Sequence, residues 1–284
     1  MVPLMSTGLD RLAAGEHKAL EGLKIALLCN HTAVTSTGRH AVEVLREIPG
    51  LEIVRLLGPE HGVWSTHQDM EAVDSEGVDA VFGLPEVSLY GHDRESLSPT
   101  SSALDGIDAV VYDIQDIGTR FYTYAATLSF VMEVAEKRGL PVIVLDRPNP
   151  IGRSVEGPLL LPGFESFCGI EPGLPVRHGL TVAELGRWYG ERRAPECDLR
   201  IIAGDSDGSA PWVPPSPNMP TVETAIVYPG MCLLEGTGLS EGRGTTTPFF
   251  RSHATHFSAQ NDCADAKLLF FRDEASEEEC IGDQ

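Results

Sequence analysis

Lysine is almost missing from this chain: four of 284 residues, Lys18, Lys24, Lys137 and Lys267. Acids outnumber bases 42 to 21, for a net charge of −21. Such a surface repels nucleic acid and anionic membranes, so neither is expected as a partner. Acid excess with arginine favoured over lysine also fits a protein that works in high salt. No apolar run approaches the 18 or more residues of a membrane helix. The N-terminus, MVPLMSTGLDRLAAGEHKAL, lacks a basic segment followed by an apolar one. No signal peptide is therefore expected, and the cytoplasm is the expected location, or secretion if the true start lies upstream. The six cysteines show no CxxC spacing and read as reduced thiols. His253 and His256 have no cysteine partner at zinc-finger spacing, so no metal is expected. No GxGxxG follows the first apolar run, which disfavours NAD or FAD. GxSxG is absent too, which argues against an α/β-hydrolase.

What is present is alternation. KIALLCN (24–30), LEIVRLL (51–57), part of 79–90, IDAVVYDIQD (107–116) and LPVIVLDRPNP (140–150) read as strands. Between them, TGRHAVEVLREI (37–48) and FYTYAATLSFVMEVAEKRG (121–139) have helical spacing, the second closed by Gly139. Near-continuous Val/Ile/Leu strands alternating with helices indicate a parallel sheet covered on both faces. Residues 1–150 thus read as a Rossmann-like α/β subdomain. Residues 151–249 read as a smaller α/β subdomain, with a helix at 180–193 opened by a Thr181–Glu184 capping box and a strand at 197–205. PWVPPSPNMPT (211–221) is a proline-rich loop, and 227–249 is rich in glycine and threonine. Residues 250–284 change character and are expected to form a poorly ordered acidic tail.

Ligands of open parallel sheets bind beyond the carboxyl ends of the strands. Here those ends carry Cys29-Asn30-His31-Thr32, Glu60-His61, Asp113-Ile114-Gln115-Asp116 and Asp146-Arg147-Pro148-Asn149. Each alone has a plainer reading: an Asp at a strand end is more often a helix cap, and Asn-Pro more often a turn. Four together make a site. The second half adds Glu156, His178, Asn218, Glu235, Glu241 and Arg243, mostly flanked by small residues. Paired carboxylates suit glycoside hydrolysis. Asp, His and Asn also suit a divalent metal, which leaves open a metal-dependent phosphoesterase built on His31, His61, Asp113, Asp116 and Asn149.

GPEHG, SLYG, DIQDIGTRFYTY, VLDRPNP, VEGPLL, RHGLTVAEL, PSPNMPT and VYPGMCLLEGTGLSEGRGTT occur in this order. Over roughly residues 5–249 the chain resembles the DUF1343 family, which includes NamZ-type exo-β-N-acetylmuramidases. The resemblance implies a glycosidase that removes N-acetylmuramic acid from peptidoglycan fragments. It also implies a Rossmann-like subdomain, a smaller α/β subdomain with a cleft between them, and no cofactor. Glu60 becomes the first catalytic carboxylate, in the role of general acid, with Glu156 and Glu241 as partners to weigh beside Glu235, Asp113 and Asp116. Substrate contacts are expected from His61, Asp113, Gln115, Arg120, Asn149, His178, Asn218, Glu235 and Arg243. Of these, Arg120 or Arg243 would clamp the lactyl carboxylate. The chain departs from the commoner pattern at Val63-Trp64-Ser65-Thr66-His67-Gln68-Asp69 and again past residue 249. The second departure carries the expectation of a truncated chain with an incomplete second subdomain, and the further alternative of an inactive sugar-binding protein.

Overall fold

The structure, a computed structural model, describes residues 7–64, 76–90, 95–205 and 210–254. The chain opens with helix α1 (Gly8–Ala13), strand β1 (Lys24–Cys29), helix α2 (Ala41–Arg46) and strand β2 (Glu52–Gly58). Then come β3 (Glu76–Val78), β4 (Pro85–Ser88), β5 (Ala109–Asp113), α3 (Thr123–Arg138) and β6 (Val142–Leu145). The later elements are the hairpin β7 (Glu156–Leu159) and β8 (Pro175–Arg177), α4 (Val182–Arg193), β9 (Leu199–Ile202), α5 (Val222–Met231) and the short pair β10 (Leu239–Ser240) and β11 (His253–Ala254).

Seven strands form one sheet in the order β3-β4-β2-β1-β5-β6-β9, parallel except for the β3–β4 edge. Strand alternation splits the core in two. Ile25, Leu27 and Cys29 of β1 pack with Ala109 and Val111 of β5 against Leu9 and Leu12 of α1 and Val42 and Leu45 of α2. Ala26 and Leu28 turn to the other face, with Val110 and Tyr112, under Leu128, Val131 and Met132 of α3 and Val182 and Ala183 of α4. Each such side chain, removed from water, contributes about 1.5–3 kcal/mol. Double coverage is why these strands carry no polar face.

Local signals hold where the backbone leaves few options. Gly139 closes α3 at φ 64°, the left-handed cap that glycine adopts without strain. The Thr181–Glu184 capping box opens α4. One expected helix start moves, and two features go beyond what the sequence pattern shows. The helix expected over 37–48 begins at Ala41, because His40 caps it and residues 35–38 close a turn (Gly38 N–H to Thr35 C=O, 2.9 Å). The boundary at residue 150 does not divide the sheet, because β9 pairs with β6 and α4 covers the same face as α3. Finally, the start of the glycine-rich stretch is helical: α5 carries Pro229 in its last turn, at the cost of the bond that an N–H there would have made to the Ala225 carbonyl. The acidic tail lies outside the described residues from 255 onward.

Candidate active site

The strand tips do converge, and hydrogen bonds lock them to one another. Thr32 Oγ1 accepts from the Gln115 N–H (3.0 Å), and Gln115 Nε2 donates to the carbonyls of Asp116 (2.8 Å) and Pro148 (3.0 Å). Arg147 Nε reaches Asp113 Oδ1 at 2.6 Å, and its Nη2 donates to the Val34 carbonyl. The proline-rich loop closes over them: His31 Nε2 meets the Pro214 carbonyl at 2.7 Å and Tyr124 Oη donates to the Pro215 carbonyl at 2.8 Å. A carbonyl only accepts, so His31 carries its proton on Nε2. Burial pushes the His31 pKa down, against the pull of that carbonyl, and nearby His61 lowers it further.

Glu60 sits in the turn that follows β2 and is 6% exposed. The turn is tight: the Gly62 N–H bonds the Pro59 carbonyl at 2.9 Å, and His61 takes φ 70°, a conformation uncommon outside glycine. Histidine is among the side chains that tolerate it best. Thr123 Oγ1 donates to Glu60 Oε2 at 2.5 Å. Thr123 is the first residue of α3, whose N-cap Tyr122 makes no side-chain cap bond. The carboxylate therefore lies at the amino end of a 16-residue helix, with Oε2 held and Oε1 unbonded among the described residues. Thr123 was missed in the sequence. Its only signal was its place within the DIQDIGTRFYTY motif at the start of a helix.

Below this turn, Val63 is buried and the Trp64 indole donates to Asp79 Oδ1 at 2.5 Å. Trp64, His40 and Phe82 form an aromatic cluster with ring centroids 5.0–5.7 Å apart. Residues 65–69 of the divergent loop lie outside the described residues.

Several expected substrate contacts are instead committed to the fold. Asp113 is fully buried against Arg147, and burial raises its pKa more than the guanidinium lowers it. Gln115 spends both amide hydrogens on backbone carbonyls. Asn149 accepts from the Ile151 N–H (3.1 Å) and donates to the Leu180 carbonyl (3.0 Å). It packs so tightly on Gly118 (φ 87°) that a Cβ there would lie 2.5 Å from its Oδ1. His178 Nδ1 accepts from the Leu180 N–H, so its proton lies on Nε2, which faces Asp116 Oδ2 at 3.3 Å without hydrogen-bonding geometry. Asp146, as the plainer reading has it, caps a helix: its Oδ1 accepts from Ala183 in the first turn of α4.

The glutamates of the second half do not behave alike. Glu156 is exposed on β7 and pairs with Arg177 at 3.2 Å. Glu241 is buried, 2.6 Å from Arg243 Nε, while Arg243 Nη2 reaches Glu235 at 3.0 Å and the guanidinium lies 5.3 Å from the Phe249 ring centroid. Arg243, with two carboxylates of its own, is not an open clamp. Asn218 Oδ1 holds the turn beside it through the Gly244 N–H, 2.9 Å. Asp116 differs from all of these. It is 4% exposed, its Oδ2 accepts from the Gly118 N–H at 2.7 Å, and its Oδ1 has no partner among the described residues. Both Asp116 and Glu60 act on Tyr122, whose pKa is raised first by burial and then by its charged neighbours. Among the described residues no group of three or more His, Cys, Asp or Glu could hold a metal ion, as the phosphoesterase alternative requires.

Comparison with known proteins shows the family. The family described as Exo-beta-N-acetylmuramidase NamZ, N-terminal, matches residues 25–223, and its C-terminal counterpart matches 226–267. The similarity therefore passes residue 249, where it was expected to end. The chain is 42% identical over 258 residues to the peptidoglycan beta-N-acetylmuramidase NamZ of Bacillus subtilis (strain 168). That match covers 87% of this chain and 61% of the relative, so the chain spans about three fifths of the relative's length. Two solved structures of DUF1343 family proteins from Bacteroides fragilis NCTC 9343 share the fold. One has TM-score 0.75 and 35% identity, covering 87% of this chain and 65% of that one. The other has TM-score 0.72 and 32% identity, covering 86% and 65%.

Proposed function

The chain belongs to the NamZ exo-β-N-acetylmuramidase family, and on that premise we propose that it is a glycoside hydrolase releasing terminal N-acetylmuramic acid from peptidoglycan fragments. The observation that carries the proposal is the Glu60 carboxyl: buried at the rim of the sheet, fixed through Oε2 by Thr123, with Oε1 uncommitted. In that role Glu60 is the general acid. Its Oε1 delivers a proton to the glycosidic oxygen as the bond to the anomeric carbon breaks. Positive charge then develops on the sugar ring, and Asp116, with one carboxylate oxygen unpartnered, is the carboxylate we assign to balance it. The Gly118 N–H holds Asp116 Oδ2 in place for this, with His178 beside it at 3.3 Å. His61, forced into its turn beside the acid, contacts sugar hydroxyls.

The test is turnover of a chromogenic β-N-acetylmuramide. Glu60→Gln keeps the size and the Thr123 contact but has no proton to give. Its kcat should fall by about 10²–10⁴-fold, the range general acid catalysis supplies. A variant as active as the parent removes Glu60 from the mechanism.

A further inference from the structure

We infer that Arg120 recognises the carboxylate of the substrate's lactyl ether, and so sets the preference for a muramyl over a plain N-acetylglucosaminyl unit. The inference rests on the glycosidase reading above and adds the residue that gives it its specificity.

Arg120 lies in the link between β5 and α3, three residues before the threonine that holds Glu60. Three residues of chain span at most about 10 Å. A turn (Tyr122 N–H to Thr119 C=O, 3.0 Å) shortens this further. The residue is pinned at both ends. Its own N–H bonds the Val176 carbonyl at 2.9 Å, and Nη1 donates to the carbonyls of Leu174 (2.6 Å) and Pro158 (2.9 Å). Those bonds clamp one corner of the guanidinium to the β7–β8 hairpin. Among the described residues Nε and Nη2 make no hydrogen bond, and no carboxylate pairs with Arg120. Cys168 lies within electrostatic reach of both Arg120 and Glu60, which places the two charged groups around one thiol.

An arginine that is partly desolvated without a counter-ion is an unusual expense in a chain with twice as many acids as bases. Burial accordingly lowers its pKa. The other part-buried arginines are answered. Arg193 has Glu133 and Glu171, Arg177 has Glu156, and Arg243 has Glu235 and Glu241. Arg55 lacks an acid but spends both terminal nitrogens on the carbonyls of Ser102, Ala103 and Asp105. Among the described part-buried arginines, only Arg120 combines the lack of a carboxylate with an unbonded Nε–Nη2 edge, the arrangement that takes a carboxylate with two parallel hydrogen bonds. The lactyl group is the only anionic part of N-acetylmuramic acid, and N-acetylglucosamine lacks it.

The experiment is calorimetric titration of the full chain with N-acetylmuramic acid and with N-acetylglucosamine, for the parent, Arg120→Gln and Arg120→Lys, with melting curves for all three. The parent should prefer N-acetylmuramic acid. Arg120→Gln should lose about 10–100-fold of that affinity, the worth of a hydrogen-bonded charge, while its N-acetylglucosamine affinity stays within about twofold. Arg120→Lys should recover part of the loss, since a point charge replaces a fork. If N-acetylmuramic acid binds Arg120→Gln as tightly as the parent, the inference fails and the glycosidase reading stands. An equal loss for both sugars, or a collapse of melting temperature, also overturns it, since that marks a structural role. A parent that binds neither sugar and turns over no muramide overturns the glycosidase reading, and the inference with it.

Discussion

In the proposed mechanism Thr123 decides which oxygen of Glu60 does the chemistry. Its hydroxyl is committed to Oε2 at 2.5 Å, which restrains the carboxyl plane and leaves Oε1 to face the leaving group. A hydrogen bond to an ionisable group is worth about 1.5–3 kcal/mol, so Thr123→Val should cost about 10–100-fold in kcat with KM little changed. Thr123→Ser, which keeps the hydroxyl, should stay near the parent. Steady-state kinetics on the chromogenic muramide give the answer, and equal rates for Thr123→Val and the parent would show that the contact is idle. The same residue shows where sequence reading stops. The place of Glu60 was legible, because an apolar run leads straight into it and that run is β2. Gln115, Asn149 and His178 were chosen on the same grounds of residue type and position. Yet each is engaged within the fold: Gln115 by the Pro148 carbonyl and Asn149 by the Leu180 carbonyl, both distant in sequence, and His178 by the Leu180 N–H two residues on. Arg243 is a similar case: Glu235 and Glu241, which the sequence offers as separate candidates, are its own counter-ions. Sequence shows which groups can bind, and only the packed structure shows which remain unspent.

At the level of elements, the buried Asp113–Arg147 pair ties the end of β5 to the end of β6, and Arg147 reaches on to the loop after β1. Removing one member leaves the other charged and dry, so Arg147→Met should destabilise the fold by about 3–5 kcal/mol near neutral pH. The sign of the pH dependence follows from Asp113. Its folded pKa is raised by burial even with Arg147 present, so this group's contribution to stability is greatest below the unfolded value of about 4 and declines as pH rises through the folded value. Without Arg147 that decline must steepen, because the carboxylate loses its counter-ion. The gap in unfolding free energy between parent and Arg147→Met should therefore be larger at pH 8 than at pH 5. Urea titrations at the two pH values measure it, and a gap that narrows at pH 8 contradicts the account. The elements themselves were legible in proportion to their periodicity. β1, β2, β5, β6, α3 and α4 announce themselves by apolar runs, helical spacing or caps. β3 is three residues long, too short for a pattern. α5 hides behind Pro229 and Gly230, residues that ordinarily mark a break. That β9 belongs to the first sheet could not be read from its own residues, since strand pairing is a long-range property: its partner β6 lies more than 50 residues earlier.

The whole molecule carries 42 acidic against 21 basic side chains, and many of the arginines are already engaged at the surface: Arg11 with Glu16, Arg39 with Glu47, Arg138 with Asp105, Arg153 with Glu184, Arg200 with Asp198. The acids left over face one another across the surface, and their repulsion works against the compact state. Salt acts on this in two opposing ways. It weakens the exposed ion pairs, but each of those is worth only about 0–1 kcal/mol. It also screens the repulsion, shortening the Debye length from about 10 Å at 0.1 M to about 3 Å at 1 M, below typical spacings between like charges. With acids in twofold excess the second effect wins, so thermal stability at pH 7.5 should rise between 0.1 and 1 M NaCl. One or two kcal/mol recovered in this way corresponds to about 2–8 °C for a chain of this size. The control is pH. Near the sequence pI of about 4.7 the charge excess vanishes, and screening should then give no gain or a small loss as only the attractive pairs are weakened. Melting curves over a grid of salt and pH separate charge screening from a general salt effect on burial, because only screening changes sign with net charge. A salt-induced rise of equal size at pH 4.7 and pH 7.5 would mean that the acidic surface is not what salt acts on.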